Sequence, residues 1–316
     1  MSELQGSLKS PCLIQQLFNE ERKELNVKIL VIGATGKVGS LVVKQLLNGG
    51  ASVRALVHQQ RALPRSVEVA VGDLGDPPSV MKALEGIEKV FLLVADTADE
   101  LRQALTAYGL AKRAGVKHIT YLSVFRADSF PDLPFFAAKA AVEGAIKKYD
   151  VPFTILRPGY FMQNDARMKE LLTGPGIYAV PLGDAGIATV DIRDIAEVAA
   201  RSLMEDSHAG KTYNLVSEDL LSGPGAAAAW ADVLRKGIRY AGHGNFDAFE
   251  EQVRKTGAPN WLAYQVRTMF QAWVERGWPT SPSDASQSAS LLGHRPRTYR
   301  SYAEEVANQW STTVAA

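Results

Sequence analysis

The chain has 316 residues, 46 % of them hydrophobic, and a formal net charge of +1, enough apolar content for one large core or a main domain with a smaller cap. Near-neutrality argues against a polyanionic partner. The single cysteine, Cys12, excludes a disulfide framework and a cysteine-based zinc cluster, so a reducing, cytoplasmic setting is expected. No apolar run reaches the ~18 residues of a membrane span, so no membrane is expected. Met1 to Asn26 has no basic head followed by an apolar core and is expected to be a flexible or loosely helical extension.

The first element is the most informative. Val27–Ile32 is an apolar strand that runs into Gly33-Ala-Thr-Gly-Lys-Val-Gly39 and opens directly into a helical pattern, Lys37–Leu47. Strand, glycine turn and amphipathic helix in that order predict a phosphate-binding turn. Gly33 permits the tight exit from the strand, Gly36 lets backbone amides approach a pyrophosphate, and Gly39 lets the helix pack closely on the sheet. The helix start supplies a positive pole for the anion.

The second strand, Ser52–Val57, is followed by a stretch without a carboxylate. An acidic residue there would bind the ribose diol of NAD; Arg54, His58, Arg61 and Arg65 stand in that region instead, which favours the 2′-phosphate of NADP(H) over NAD(H). Arg54 and Arg65 are expected to be solvated surface charges, leaving His58 and Arg61 as contacts. After the third strand, Val67–Val71, comes Gly72-Asp73-Leu74. Asp73 either accepts from the adenine amino group, with Leu74 covering the ring, or only caps the following turn.

Further along, helices are expected at Pro77–Leu84, with Asp76 as N-cap, at Ala98–Ala114, ending at Gly115, and at Phe136–Tyr149. They alternate with strands at Lys89–Val94, His118–Leu122 and Phe153–Leu156. The alternation predicts an α/β fold with a parallel, doubly wound sheet. After Pro158 the rhythm changes. Asp191–Leu203 reads as a helix and Thr212–Val216 as a last strand returning to the sheet, and the chain from Ser222 onward is helical, with Trp residues that suit packing better than base stacking. The expected division is a nucleotide-binding domain over 27–160, rejoined by 184–220, and a small, mainly helical cap from 161–183 and 221–316.

Other chemistries find little support. The five histidines show no metal-ligand spacing, so no metal is expected. There is no Gly-x-Ser-x-Gly elbow, and the glycine turn lacks a Gly-Lys-Ser/Thr ending. Arg295, Arg297 and Arg300 form a short basic patch that suits a structural or solvated role, and no nucleic acid is expected.

The ordered strings GATGKVG, VRALV, GDL, AGVKHITYLS, AAKAAVE, PFTILRPGYFMQN, VDIRDIAEVAA and LLGHRPRTYRSYAEE, from about residue 27 to 310, resemble the NmrA-like group of atypical short-chain dehydrogenases/reductases. The resemblance implies a Rossmann domain with a C-terminal cap and NADP(H) as cofactor. Typical short-chain dehydrogenases use Tyr-x-x-x-Lys, whereas this chain reads Phe135-Phe-Ala-Ala-Lys139. In the phenylpropanoid reductases of the group the lysine acts as a general base. Lys139 would do the same if its pKa were lowered, or would only hold the nicotinamide ribose.

Ser123 matches the serine that steadies a substrate carbonyl, or else satisfies its own turn; Tyr121 lies on the same side of the strand. Tyr160, Phe161 and Asn164 are expected to line the nicotinamide end, with Tyr160 either a substitute proton donor or a packing residue. Arg157, Asp191 and Asp194 are expected to form structural hydrogen bonds and a helix start rather than to carry chemistry. The candidate catalytic set is therefore Lys139, Ser123 and Tyr160. The candidate cofactor contacts are Gly33, Thr35, Gly36, Lys37, Val38, Gly39, His58, Arg61, Asp73, Leu74, Val94, Lys139, Tyr160 and Phe161.

Two functions fit these residues. One is an NADP(H)-dependent reductase of an electron-poor small molecule: a quinone, an azo compound or a conjugated carbonyl. The other is a redox sensor whose occupancy by NADPH or NADP changes its association with a protein partner. The oligomeric state is open.

Overall fold

The structure, a computed structural model, describes residues 27–242 and 245–314. The expected N-terminal extension, with Cys12, and His243 lie outside them. Seven strands form one parallel sheet: β1 (Lys28–Ile32), β2 (Ser52–Val57), β3 (Val67–Val71), β4 (Lys89–Leu92), β5 (His118–Leu122), β6 (Phe153–Pro158) and β7 (Lys211–Leu215). Their spatial order is β7-β6-β5-β4-β1-β2-β3. All the pairings are parallel; β1 meets β2 with Ile29 opposite Val53 and meets β4 with Ile29 opposite Lys89.

Alternation of side chains explains why apolar runs form these strands. Ile29 and Val31 of β1 face a layer made by α1 (Lys37–Asn48) and the helix Ile192–Met204, whereas Leu30 and Ile32 face α2 (Pro77–Ala83), α3 (Glu100–Arg113) and α4 (Pro134–Lys148). Burial on both faces requires apolar residues at successive positions. Strand order reverses between β1 and β4, which opens a crevice at the carboxyl ends of the strands, where such sheets bind ligands.

Element ends differ from the pattern-based expectation by one or two residues. Asp76 occupies the N-cap position of α2, but its side chain makes no cap hydrogen bond; the Ser79 hydroxyl donates to the Asp76 carbonyl instead, at 2.8 Å. Asp191 does cap α5 (Ile192–Met204): its carboxylate accepts from the Arg193 amide at 2.8 Å.

The C-terminal region contains small sheets that no periodicity announced, because four of their five strands are only two residues long and the fifth has four. Tyr160–Phe161, Ile187–Val190 and Leu220–Leu221 make a three-stranded sheet, and Ile177–Tyr178 pairs with Arg239–Tyr240. Around them pack α6 (Gly223–Leu234), α7 (Phe246–Lys255), α8 (Asn260–Arg276), α9 (Pro282–Leu292) and α10 (Tyr299–Val314). Trp273 stacks on Trp278 with centroids 4.5 Å apart, and Trp230 on Trp310 at 5.1 Å, so these rings serve packing. Among the described residues no helix is long and apolar enough to cross a membrane.

Candidate active site

The glycine turn has the geometry of an anion cradle. Gly33 has φ +80°, and a Cβ there would stand 2.8 Å from the Leu93 carbonyl oxygen at the end of β4, so only glycine fits. Gly39 lies against the turn so closely that a Cβ would collide with the Gly33 carbonyl. Gly36 is different: its φ is ordinary and a Cβ would touch only the Gly33 carbonyl oxygen, at 3.3 Å, with open space beyond. It is also the N-cap of α1, and no side chain caps the first amides. Thr35, Gly36 and Lys37 are exposed, whereas Val38 and Gly39 are buried. A pyrophosphate fits this cradle: free amides, a helix dipole and no side chain in the way.

Lys37 gains a neighbour that the sequence did not suggest. Partial desolvation of this largely exposed side chain, and then the charge of Arg167, hold its ammonium below the usual lysine value. Arg167 comes from the 3-10 helix Met162–Met168. Neither Lys37 nor Arg167 pairs with a carboxylate among the described residues, and two cations brought together cost energy that an anion between them would remove.

At the adenosine end, His58 and Asp73 are both exposed, with Nδ1 and Oδ2 3.5 Å apart. The other Asp73 oxygen accepts from the Gly75 amide at 2.6 Å, the bond of a turn cap. Leu74 and Val94 are buried in the core on the α2–α4 side. Arg61 is exposed. Arg54 is not the solvated charge expected of it. Its guanidinium donates to the carbonyls of Ala83 and Glu85, at 2.7 and 2.8 Å, and pairs with Glu68, locking β2 to the end of α2.

The lysine end lies two strands from the glycine turn, about 10 Å along the carboxyl edge of the sheet. Lys139 projects from α4, donates to the Leu122 carbonyl at 3.3 Å and pairs with Glu100 of α3 at 2.5 Å. The paired side chains are only 4 % and 6 % exposed. Burial alone would depress the ammonium. The neighbouring Tyr121, Glu100 and Asp96 outweigh it and the net shift is upward. The lowered pKa that a general-base Lys139 needs is therefore not found, although burial also pushes the Glu100 carboxyl up against the pull of Lys139. Its ammonium also stands over the rings of Tyr121 and Phe135.

The other candidate donors are committed elsewhere. The Ser123 hydroxyl donates to Glu143 at 2.6 Å, and the same carboxylate binds Arg157 through Nε and Nη2 at 2.8 and 2.7 Å. Ser123 therefore has no proton left for a carbonyl, and Arg157 is structural. Tyr160 donates to the buried Asp165 at 2.7 Å, as do Tyr178, at 2.6 Å, and Tyr299. Burial and then Asp165 push the Tyr160 phenol well above its usual range. Its ring packs edge-on against Phe270 and Trp273. Tyr160 is thus a core residue of the cap rather than a substitute proton donor. Phe161 and Asn164 are half-buried, Phe161 packing against the layer that contains α1 and α5.

The cap closes over this edge. Gln265 of α8 donates to Asp96 at 2.8 Å, and Arg276 binds Asp132 at 2.9 and 3.0 Å. Asp96, Glu100 and Arg167 escaped the sequence reading because a carboxylate at a helix start and a cation in a loop read as ordinary surface charges. Only the tertiary contacts distinguish them.

Two other features carry no chemistry. A cleft at the amino ends of β4 and β5 is lined by Lys89, His118, Met204 and Asp206. Its Lys89 is paired with Asp206 at 2.9 Å, and burial pushes His118 down to about 4, so this histidine is neutral. The fold also gathers Asp194, Glu197 and His294, a trio the histidine spacing did not suggest. Arg297 pairs with both of these carboxylates and occupies the role of a cation. Arg300 pairs with Asp232 and Glu304.

Comparison with known proteins places this site in context. The NmrA-like family model matches residues 26–303. The NAD(P)H azoreductase of Xenophilus azovorans is 30 % identical over 248 residues, 77 % of this chain and 86 % of that protein. Quinone oxidoreductase 2 of Escherichia coli is 29 % identical over 245 residues, 74 % of this chain and 84 % of that protein. The crystal structure of the E. coli NADPH-dependent quinone oxidoreductase complexed with NADPH superposes with a TM-score of 0.78 at 25 % identity, over 88 % of this chain and 99 % of that one. The triphenylmethane reductase of Citrobacter sp., complexed with NADP(H), gives 0.78 at 25 % identity, over 89 % and 99 %. The glycine turn, the sheet order and the match across most of the chain lead to one assignment: this chain belongs to the NmrA-like family.

Proposed function

We propose that the protein is an NADP(H)-dependent reductase of electron-poor small molecules, with quinones and azo compounds as the acceptor classes. The observation that carries this reading is a fixed ammonium whose phenol neighbour, Tyr121, is fully buried. Lys139 lies on the same edge as an open phosphate turn, Phe135 has no hydroxyl, and the Ser123 and Tyr160 protons are committed to carboxylates. The relatives with azoreductase and quinone oxidoreductase activity support the same chemistry.

When bound, the cofactor's dihydronicotinamide supplies a hydride. The chain's own residues do the rest. The Gly36 amide closes the turn on the Gly33 carbonyl at 3.0 Å, so the free amides of α1 from Lys37 onward hold the pyrophosphate with the helix dipole, and Lys37 and Arg167 add positive charge. The Lys139 ammonium stabilises negative charge as it develops on the acceptor. A quinone or azo acceptor spreads that charge and takes its proton from water. A simple ketone requires a proton donor, which Phe135 cannot be and which Ser123 and Tyr160, committed to Glu143 and Asp165, do not supply; the Tyr121 hydroxyl is fully buried.

The test is NADPH oxidation across a panel of quinones, azo dyes and ketones, with Lys139→Met as control. Turnover is expected for the first two classes and little for ketones. NADPH binding without turnover of any acceptor would overturn the reading in favour of an occupancy sensor with a protein partner.

The cofactor preference is a separate expectation. Asp73 is tied to its turn and to His58, which leaves the exposed Arg61 as the principal cation for a 2′-phosphate. Arg61→Ala should weaken NADPH by roughly 10- to 150-fold, the loss of one charge-assisted contact of about 1.5–3 kcal/mol, and leave NADH almost unchanged. Calorimetric titration of both cofactors decides it; an equal loss for the two would remove Arg61 from the phosphate site.

A further inference from the structure

We propose that Glu100 is a positioning residue of the reductase site: its buried pair with Lys139 aims the ammonium along the carboxyl edge of the sheet and keeps it cationic. This rests on the reductase reading above, and deepens it by giving Lys139 a fixed charge state and a fixed partner.

The geometry comes from two helices and a strand. Glu100 opens α3, immediately after the segment that follows β4, while Lys139 stands one turn inside α4. The Oε1–Nζ separation is 2.5 Å, and the Leu122 carbonyl at the end of β5 takes a further ammonium proton. The remaining contacts are the faces of Tyr121 and Phe135, 5.4 and 5.6 Å from Nζ to the ring centroids. A lone ammonium in such a pocket would lose its proton, because burial without a counter-charge favours the neutral amine.

Every titratable group that bears on Lys139 points the same way. Glu100 is in contact and Asp96 acts from the β4–α3 segment; Tyr121 of β5 adds its charge only where it ionises. Burial pushes the Tyr121 phenol up to about 12, so it remains protonated at neutral pH. Asp96 is already engaged by Gln265 of the cap. Glu100 is therefore the group that supplies the compensating charge directly. The same arrangement gives a physical reason why phenylalanine is tolerated at 135: the ammonium finds its polar partners on α3 and β5 rather than on its own helix.

The assignment makes a specific demand on the charge state. Lys139 should remain an ammonium through the whole neutral range in the wild type. In Glu100→Gln, which keeps the size and shape of the side chain, its proton affinity should fall by about tenfold or more. Glu100→Asp should restore part of that affinity. The direct measurement is a pH titration of the side-chain Nζ resonance in 15N-lysine-labelled protein without cofactor, with Lys139→Met supplying the assignment.

The second measurement is the pH profile of NADPH oxidation with a quinone. Glu100→Gln should bring a loss of kcat at alkaline pH that the wild type lacks, while KM for the quinone changes little. In a Lys139→Met background the same substitution should cost nothing further. That double variant replaces the ion pair by uncharged groups and keeps the test available if Glu100→Gln alone folds poorly. An unchanged Nζ titration in Glu100→Gln, or an equal loss in the Lys139→Met background, would overturn the proposal. Absence of turnover by the wild type would sink the reductase reading instead, and the Nζ titration would still decide whether Glu100 governs the charge of Lys139.

Discussion

Gly36→Val is expected to abolish dinucleotide binding and leave a folded protein. At this position φ is −77°, which valine tolerates, and a Cβ meets only one atom, the Gly33 carbonyl oxygen at 3.3 Å. The branched side chain would project into the space above the uncapped amides of α1, where the pyrophosphate must approach. Two or more charge-assisted hydrogen bonds of about 1.5–3 kcal/mol each would be lost, more than a hundredfold in affinity. Calorimetric titration with NADPH beside circular dichroism checks both halves, and retained affinity with an unchanged spectrum would show that the cofactor does not lie over this turn. Gly39→Val is the contrasting case: its side chain would collide with the Gly33 backbone, so it should fail at the level of folding.

The second large effect is expected at Asp165, which no reaction uses. Its carboxylate accepts from three buried phenols, and the Trp230 indole donates to one of them, Tyr299, at 2.8 Å. Asp165→Ala would leave three buried hydroxyls without their acceptor, at about 1–3 kcal/mol each, partly offset by relaxation. A net loss of roughly 3 kcal/mol or more, or on the order of 6–12 °C in Tm, follows for a protein of this size. Thermal unfolding followed by tryptophan fluorescence would read it, because Trp230 belongs to the cluster. Loss of less than about 1 kcal/mol would mean that the phenols find other acceptors and that the cap is not anchored there. Tyr160→Phe, removing one of the three donors, should cost about 1 kcal/mol and leave NADPH turnover intact, an outcome a proton donor would not give.

What the sequence disclosed and what it hid divide along physical lines. Gly33 and Gly39 announced the turn because a positive φ and close backbone approach leave no other residue type, and Gly36 because a side chain there would fill the space a ligand needs. The central strands β1, β2, β4 and β5 were legible because burial on both faces favours runs of apolar residues. Asp191 was legible as a cap because the partner of a cap lies within the same helix turn. Arg54, Ser123, Tyr160 and Glu100 were opaque for the converse reason. Each is decided by a partner that only the fold brings near: the Ala83 and Glu85 carbonyls, Glu143, Asp165 and Lys139. A polar side chain shows its type in a sequence, and its partner determines whether that type is free to react.

The cluster around Asp165 has a consequence for the order in which the chain becomes competent. Domains fold from the N-terminus as synthesis proceeds, at about 5–20 residues per second. The whole glycine turn, Glu100 and Lys139 emerge early, and Asp165 shortly afterwards with two of its phenols, Tyr160 and Tyr178. The third, Tyr299, begins the last described helix, which arrives on the order of ten seconds later. Until then the carboxylate lacks a donor, Trp230 lacks its acceptor, and the face of the cap that receives α10 stays open. A nascent chain would therefore be able to hold a dinucleotide before its cap is assembled, and protection of the cap would date from the arrival of Tyr299.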